Sequence, residues 1–200
     1  MRKYFILSAV IFALLPFSKS FAQTSRPVAI LIPGAGGVTP SDFLIRNRGR
    51  ISGSGIEVKV TTSGSRAASI VREMKKQKRK VVIVAMSRGG LAAGSAISSG
   101  PKPDGLVLVS TMLKSVSARI GSPSRLPATL IVHHRHDQCH LTPPSGVGSF
   151  RNWAGGKARV SWINTDGRQR GRRCGPFGAH GFFRKDGAAI SSIVSFIRSR

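Results

Sequence analysis

Six short runs punctuate the chain: Val28–Ile32, Ile56–Thr61, Val81–Ala85, Gly105–Val109, Ala128–His133 and Arg159–Ile163. They are rich in β-branched residues, and most are near-continuously apolar instead of alternating. Continuous apolar runs predict strands covered on both faces, as in a parallel sheet packed between helices. Helical stretches fall at Arg66–Lys78, Gly89–Ser98 and Ala188–Arg198, the last with Ile190, Ile193, Val194 and Ile197 at helical spacing. This alternation predicts an α/β fold: a mostly parallel sheet of about six strands with helices on both faces. Gly121, Pro123 and Pro127 predict a loop or an early-stopping helix over 114–126, and Pro143-Pro144 with several glycines predicts a loop over 135–152. Neither an internal repeat nor a second domain is expected.

The first 22 residues stand apart. Arg2 and Lys3 precede an apolar run, Ile6 to Phe17, and Ser20-Phe21-Ala22 places small residues where a signal peptidase cleaves. The run is short for a membrane span. A signal peptide over 1–22 and a mature domain over 23–200 are expected, hence export to a periplasm or beyond. A retained N-terminal anchor is the competing reading. In an oxidising compartment the two cysteines, Cys139 and Cys174, predict one disulfide, with two free buried thiols as the alternative.

The formal net charge is +25, with 32 lysines and arginines against 7 acids. Basic runs fall at Arg46 to Arg50, Lys75 to Lys80 and Arg168 to Arg173. Such a field predicts weak, non-specific association with anionic surfaces. Specific nucleic-acid binding is not expected, because stacking aromatics do not interleave the basic runs and the only tyrosine is Tyr4.

The most telling residue is Ser87. It follows the buried run Val81 to Met86 and precedes Arg88-Gly89-Gly90, so it falls at a strand–turn–helix corner. A nucleophilic serine is held in that way; a helix-capping serine is the plainer alternative. Asp137 follows a late strand and His180 lies between the last strand and the last helix. Nucleophile, orienting acid and base then occur in the order Ser87, Asp137, His180. Asp104 and Asp166 are the other candidate acids. The cluster His133, His134, His136, Asp137, Cys139 and His140 carries zinc-type donors. Their adjacency in one loop favours packing beneath the acid over a shared ion.

Together these segments resemble a compact α/β-hydrolase. Ala85-Met86-Ser87-Arg88-Gly89 stands where that fold superfamily has its nucleophile elbow, with Ala85 in place of the usual first glycine. Leu31-Ile32-Pro33-Gly34-Ala35-Gly36-Gly37 resembles its glycine-rich oxyanion loop, with Pro33 where a histidine is common, so the support for that loop must differ. The resemblance implies backbone oxyanion donors at Arg88 and Ala35, and a serine esterase without a substantial lid. It implies a small-molecule acyl substrate, no cofactor and no membrane span in the mature chain. An acyltransferase with the same triad, and a non-catalytic basic module binding anionic polymer or membrane, are the rival readings. A Cys139–Cys174 bridge would tie the acid loop to the histidine loop.

Overall fold

The computed structural model describes residues 26–164 and 171–200; the leader and Asp166 lie outside them. Six strands form one parallel sheet: β1 (Val28–Ile32), β2 (Glu57–Val60), β3 (Val81–Met86), β4 (Gly105–Val109), β5 (Thr129–His134) and β6 (Ala158–Ile163). Their order across the sheet is β2-β1-β3-β4-β5-β6. Seven α-helices connect and cover them: α1 (Phe43–Arg46), α2 (Arg48–Ser52), α3 (Gly64–Lys76), α4 (Gly89–Ser98), α5 (Leu113–Ile120), α6 (Gly146–Trp153) and α7 (Asp186–Arg198).

The continuous apolar runs divide by parity. In β1 and β3, Val28, Ile30, Ile32, Val81, Ile83 and Ala85 join a core beneath α3, α4, α5 and α6. Their neighbours Ala29, Leu31, Val82, Val84 and Met86 join a second core beneath α1, α2 and α7. Successive side chains of a strand face opposite ways, so a strand apolar at every position needs a helical layer on each side.

One expectation is corrected. Residues 146–153, expected as loop, form α6, which buries Val147 and Phe150; Pro143 and Pro144 precede it and their carbonyls accept its first amides, Gly146 and Val147. The basic run at Arg46 to Arg50 lies largely in α1 and α2, outside the predicted helices. Segment 114–126 resolves into α5, a turn at Gly121 (φ +81°) and a 3-10 turn at Pro123–Arg125.

The direction of strand succession reverses between β1 and β3, the two strands flanking the crevice at their carboxyl ends. Open α/β sheets bind ligands at such a switch point. The loops after β1 and β3 meet there.

Candidate active site

Ser87 sits between β3 and α4 with φ +50°, a left-handed conformation that L residues with side chains rarely adopt. Such a residue persists only where its surroundings over-determine it. Here the Ser87 amide donates to Val109 O at 2.9 Å, pinning the turn to the end of β4. Gly89 lets α4 approach the β1 loop, since a Cβ there would collide with the carbonyl oxygens of Ile32 and Pro33. The corner therefore projects the Ser87 hydroxyl above the sheet.

His180 reaches it from the other side, its Nε2 lying 3.1 Å from Ser87 Oγ. His180 is buried on a 3-10 turn, Ala179–Gly181, and Gly181 has no room for a Cβ beside the Pro176 backbone. Phe182 follows in the left-handed region, fully buried, with its ring 5.0 Å from that of Phe43. This knob fixes the histidine turn to α1. His180 Nδ1 faces Asp137 Oδ2 at 3.0 Å. Asp137 is buried on the loop after β5, and its other oxygen accepts the Cys139 amide at 2.9 Å. The three side chains singled out in the sequence thus form one hydrogen-bonded series.

Ala35 and Arg88, each with a backbone amide, line the same cleft of about 190 Å³ as Ser87 and His180. Neither donates to a protein acceptor among the described residues, whereas the Gly34 amide is taken by Asp42 Oδ2 at 2.9 Å. N–H groups without a protein acceptor are the donors that an anionic oxygen can use. The rest of the cleft is largely apolar, walled by Phe43, Met86, Met112, Leu141 and Pro176. Cys174 also lines it and is bonded to Cys139.

No family model matches the sequence, and no curated protein matches it. Solved structures do match. A protein of the alpha/beta hydrolase superfamily from Xanthomonas campestris pv. campestris superposes with a TM-score of 0.62 at 18% identity, over 88% of this chain and 100% of that one. A monoacylglycerol lipase from Paleococcus ferrophilus gives 0.58 at 14% identity, over 88% and 95%. A soluble variant of monoglyceride lipase from Saccharomyces cerevisiae gives 0.63 at 11% identity, over 87% of each chain. The chain has the α/β-hydrolase fold.

The loop after β1 is held by a carboxylate. Pro33 offers no amide proton to that loop, and its support comes from Asp42. It caps α1 by accepting the Leu44 and Ile45 amides at 2.8 and 3.2 Å, while its second oxygen holds Gly34. One buried carboxylate so links the loop to the helix behind it. Sequence reading missed Asp42, although Ser41-Asp42-Phe43 carries an N-cap signal.

Thr142 was also missed. Its buried hydroxyl donates to Asp137 Oδ2 at 2.9 Å and lies 3.1 Å from His180 Nδ1. Its carbonyl accepts from His133 Nε2 at 3.0 Å, so His133 packs beneath the acid loop. Burial pushes the His133 imidazole below its ordinary pKa, despite the Asp137 carboxylate nearby. A neutral His133 with its proton on Nε2 suits that contact. The remaining members of the histidine cluster diverge: His134 Nδ1 accepts the His136 amide, and His140 lies against Cys174 Sγ at 4.0 Å. Among the described residues, no group of three or more His, Cys, Asp or Glu side chains is placed to hold a metal ion. Asp104 accepts the Val81 amide and pairs with Lys75, at the opposite ends of the strands.

Arg46 ties the two sides of the cleft together. It makes a bidentate pair with Asp186 at 2.8 Å for each bond, and also donates to Ser41 O and Gly181 O. Asn47 adds a third bond to Asp186. Burial opposes ionisation of Asp186, but the Arg46 and Asn47 hydrogen bonds outweigh it and hold its pKa below the usual carboxylate value. A depressed folded-state pKa stabilises in full above the unfolded value of about 3.9 and is lost as pH falls through the folded one. The gap in melting temperature between wild type and Asp186→Asn is therefore expected to be widest near neutrality and to close below about pH 4. Thermal unfolding followed by circular dichroism across that range checks it; a gap that stays constant to pH 3 contradicts the assignment.

Proposed function

We propose that this protein is an exported serine hydrolase that cleaves a carboxylic ester, or a related acyl compound, through an acyl-enzyme. The observation that carries the reading is the unbroken series Ser87 Oγ, His180 Nε2, His180 Nδ1 and Asp137 Oδ2 at the foot of an apolar cleft. Ser87 Oγ bonds to the acyl carbon as its proton passes to His180 Nε2. Asp137 orients the imidazole and stabilises its charged form. The Arg88 and Ala35 amides receive the developing oxyanion. The carbon–oxygen bond to the alcohol breaks as His180 returns the proton to it. Water then attacks the acyl-enzyme by the same route, giving the acid and regenerating the serine. The fold's other solved examples, which include esterases and lipases, support hydrolysis in general terms.

Export is supported by the leader pattern over 1–22 and by the Cys139–Cys174 bridge, which persists in oxidising compartments. Among the described residues no helix is long and apolar enough to cross a membrane. The +25 charge supports weak association with anionic surfaces. Co-sedimentation with phosphatidylglycerol vesicles is expected at low ionic strength and lost by about 0.5 M salt; binding that survives high salt would point to another kind of contact.

A fluorophosphonate probe tests the central reading. The mature, oxidised protein is expected to become labelled, and Ser87→Ala is expected to abolish labelling while retaining the wild-type circular dichroism spectrum. A folded wild type that takes no label would overturn the hydrolase assignment.

A further inference from the structure

The charge distribution around the cleft narrows the substrate class of the proposed hydrolase. Arg88 directly follows the nucleophile, lines the cleft and is solvent-exposed. Among the described residues its guanidinium has no acidic or hydrogen-bonding partner. The position is an unusual one for a cation. It is the N-cap of the ten-residue helix α4, whose first turn has no acidic side chain and whose cap makes no side-chain hydrogen bond. A positive charge there is set against the positive end of the helix dipole.

Among the described residues no carboxylate is paired with it. Asp42, the carboxylate lining the cleft, spends both oxygens on the Gly34, Leu44 and Ile45 amides. Asp137 is buried and bonded to Cys139, Thr142 and His180. Further away, Glu57, Asp104 and Asp186 are paired with Lys59, Arg79, Lys75, Lys80 and Arg46. The other walls offer apolar surface and the hydroxyls of Thr39 and Ser41. Among the described residues that line the cleft, Arg88 thus carries the charged side chain left without a hydrogen-bonding or ionic partner, one residue from the attacking atom.

We propose that the substrate carries a carboxylate in addition to its scissile acyl group, and that the Arg88 side chain binds it. A planar carboxylate matches the guanidinium fork. The hydrocarbon between carboxylate and scissile group lies against Phe43, Met86, Met112 and Leu141. Arg88 therefore has two separable parts: its amide serves the oxyanion whatever the side chain, and its guanidinium selects the substrate. The positive field of the whole molecule adds to the encounter rate of such anions. This inference rests on the hydrolase reading.

The test compares matched esters: 4-methylumbelliferyl hydrogen adipate against 4-methylumbelliferyl hexanoate for an acyl-side carboxylate, and 4-acetoxybenzoate against its methyl ester for an alcohol-side one. The readout is the ratio of kcat/KM, anionic over neutral, in wild type, Arg88→Lys, Arg88→Met and Arg88→Glu. In one of the two pairs the ratio is expected to fall by about five- to tenfold in Arg88→Met, a magnitude reduced by solvent exposure. It should fall further in Arg88→Glu and partly recover in Arg88→Lys. Raising the salt should lower the wild-type ratio towards that of Arg88→Met. Ratios that stay the same in every variant for both pairs overturn the proposal, even where the rates themselves change. A wild type that turns over no ester and takes no fluorophosphonate label would instead refute the hydrolase reading, and this inference with it.

Discussion

Asp137→Asn is expected to lower kcat/KM for a soluble ester by about four orders of magnitude while the protein stays folded. The carboxylate has a role at each oxygen: Oδ1 takes the Cys139 amide, and Oδ2 takes both the Thr142 hydroxyl and the His180 ring proton. An asparagine of the same shape must turn either an NH2 group or a less basic oxygen towards two donors. It then holds the imidazole in the wrong tautomer and leaves the imidazolium unsupported during attack. Thr142→Val, which keeps the carboxylate and removes one hydrogen bond, is expected to cost about tenfold. Steady-state kinetics beside the circular dichroism spectrum distinguishes the cases. A folded Asp137→Asn retaining more than about a hundredth of the wild-type rate would remove Asp137 from the mechanism.

Loss of the disulfide should have the next largest effect. Cys139 lies two residues beyond Asp137 and Cys174 lies six before His180, so the bridge spans the two loops that carry the proposed acid and base. Its sequence separation of 35 corresponds to about 3–4 kcal/mol of restriction on the unfolded chain. The sheet has two buried cores of its own and is expected to survive in Cys139→Ser/Cys174→Ser well below its melting temperature. Turnover is not, because the loop has no regular structure at Asp137 and only a single 3-10 turn at His180. The Cys139 amide to Asp137 is retained in the serine variant, so the comparison isolates the cross-link. Activity that drops while the far-ultraviolet spectrum holds is the expected pattern; unchanged turnover in the variant rules out the proposed coupling.

Much of this architecture was legible because its signals are local. Val81 to Met86 can hardly be anything but a strand between two layers, and a serine followed by Arg88-Gly89-Gly90 leaves room for a helix to start at once. The order of Ser87, Asp137 and His180 could be read because each follows an element that periodicity reveals. What escaped depends on distant partners. Arg46 reads as one charge in a solvated run, yet its guanidinium is largely enclosed by Asp186, 140 residues away. Thr142 looks like an ordinary residue before a proline; its meaning comes from two side chains on other segments. Helix α6 was hidden by Pro143-Pro144 and by Gly146 and Gly148, which are poor helix formers overridden here by the burial of Val147 and Phe150.

The Arg46–Asp186 pair carries a consequence for the order in which the molecule matures. It joins α1, near the beginning of the described chain, to the start of α7, the last helix. The contact between Ser87 and His180 spans 93 residues within that interval. Contacts so remote in sequence demand large loop closures and form slowly relative to local helices. Helical signal on refolding should therefore return before turnover does. In a newly synthesised chain the nucleophile elbow can be built while its base is still absent, and competence awaits the docking of α7. Regained activity is thus a clock for the final step of folding.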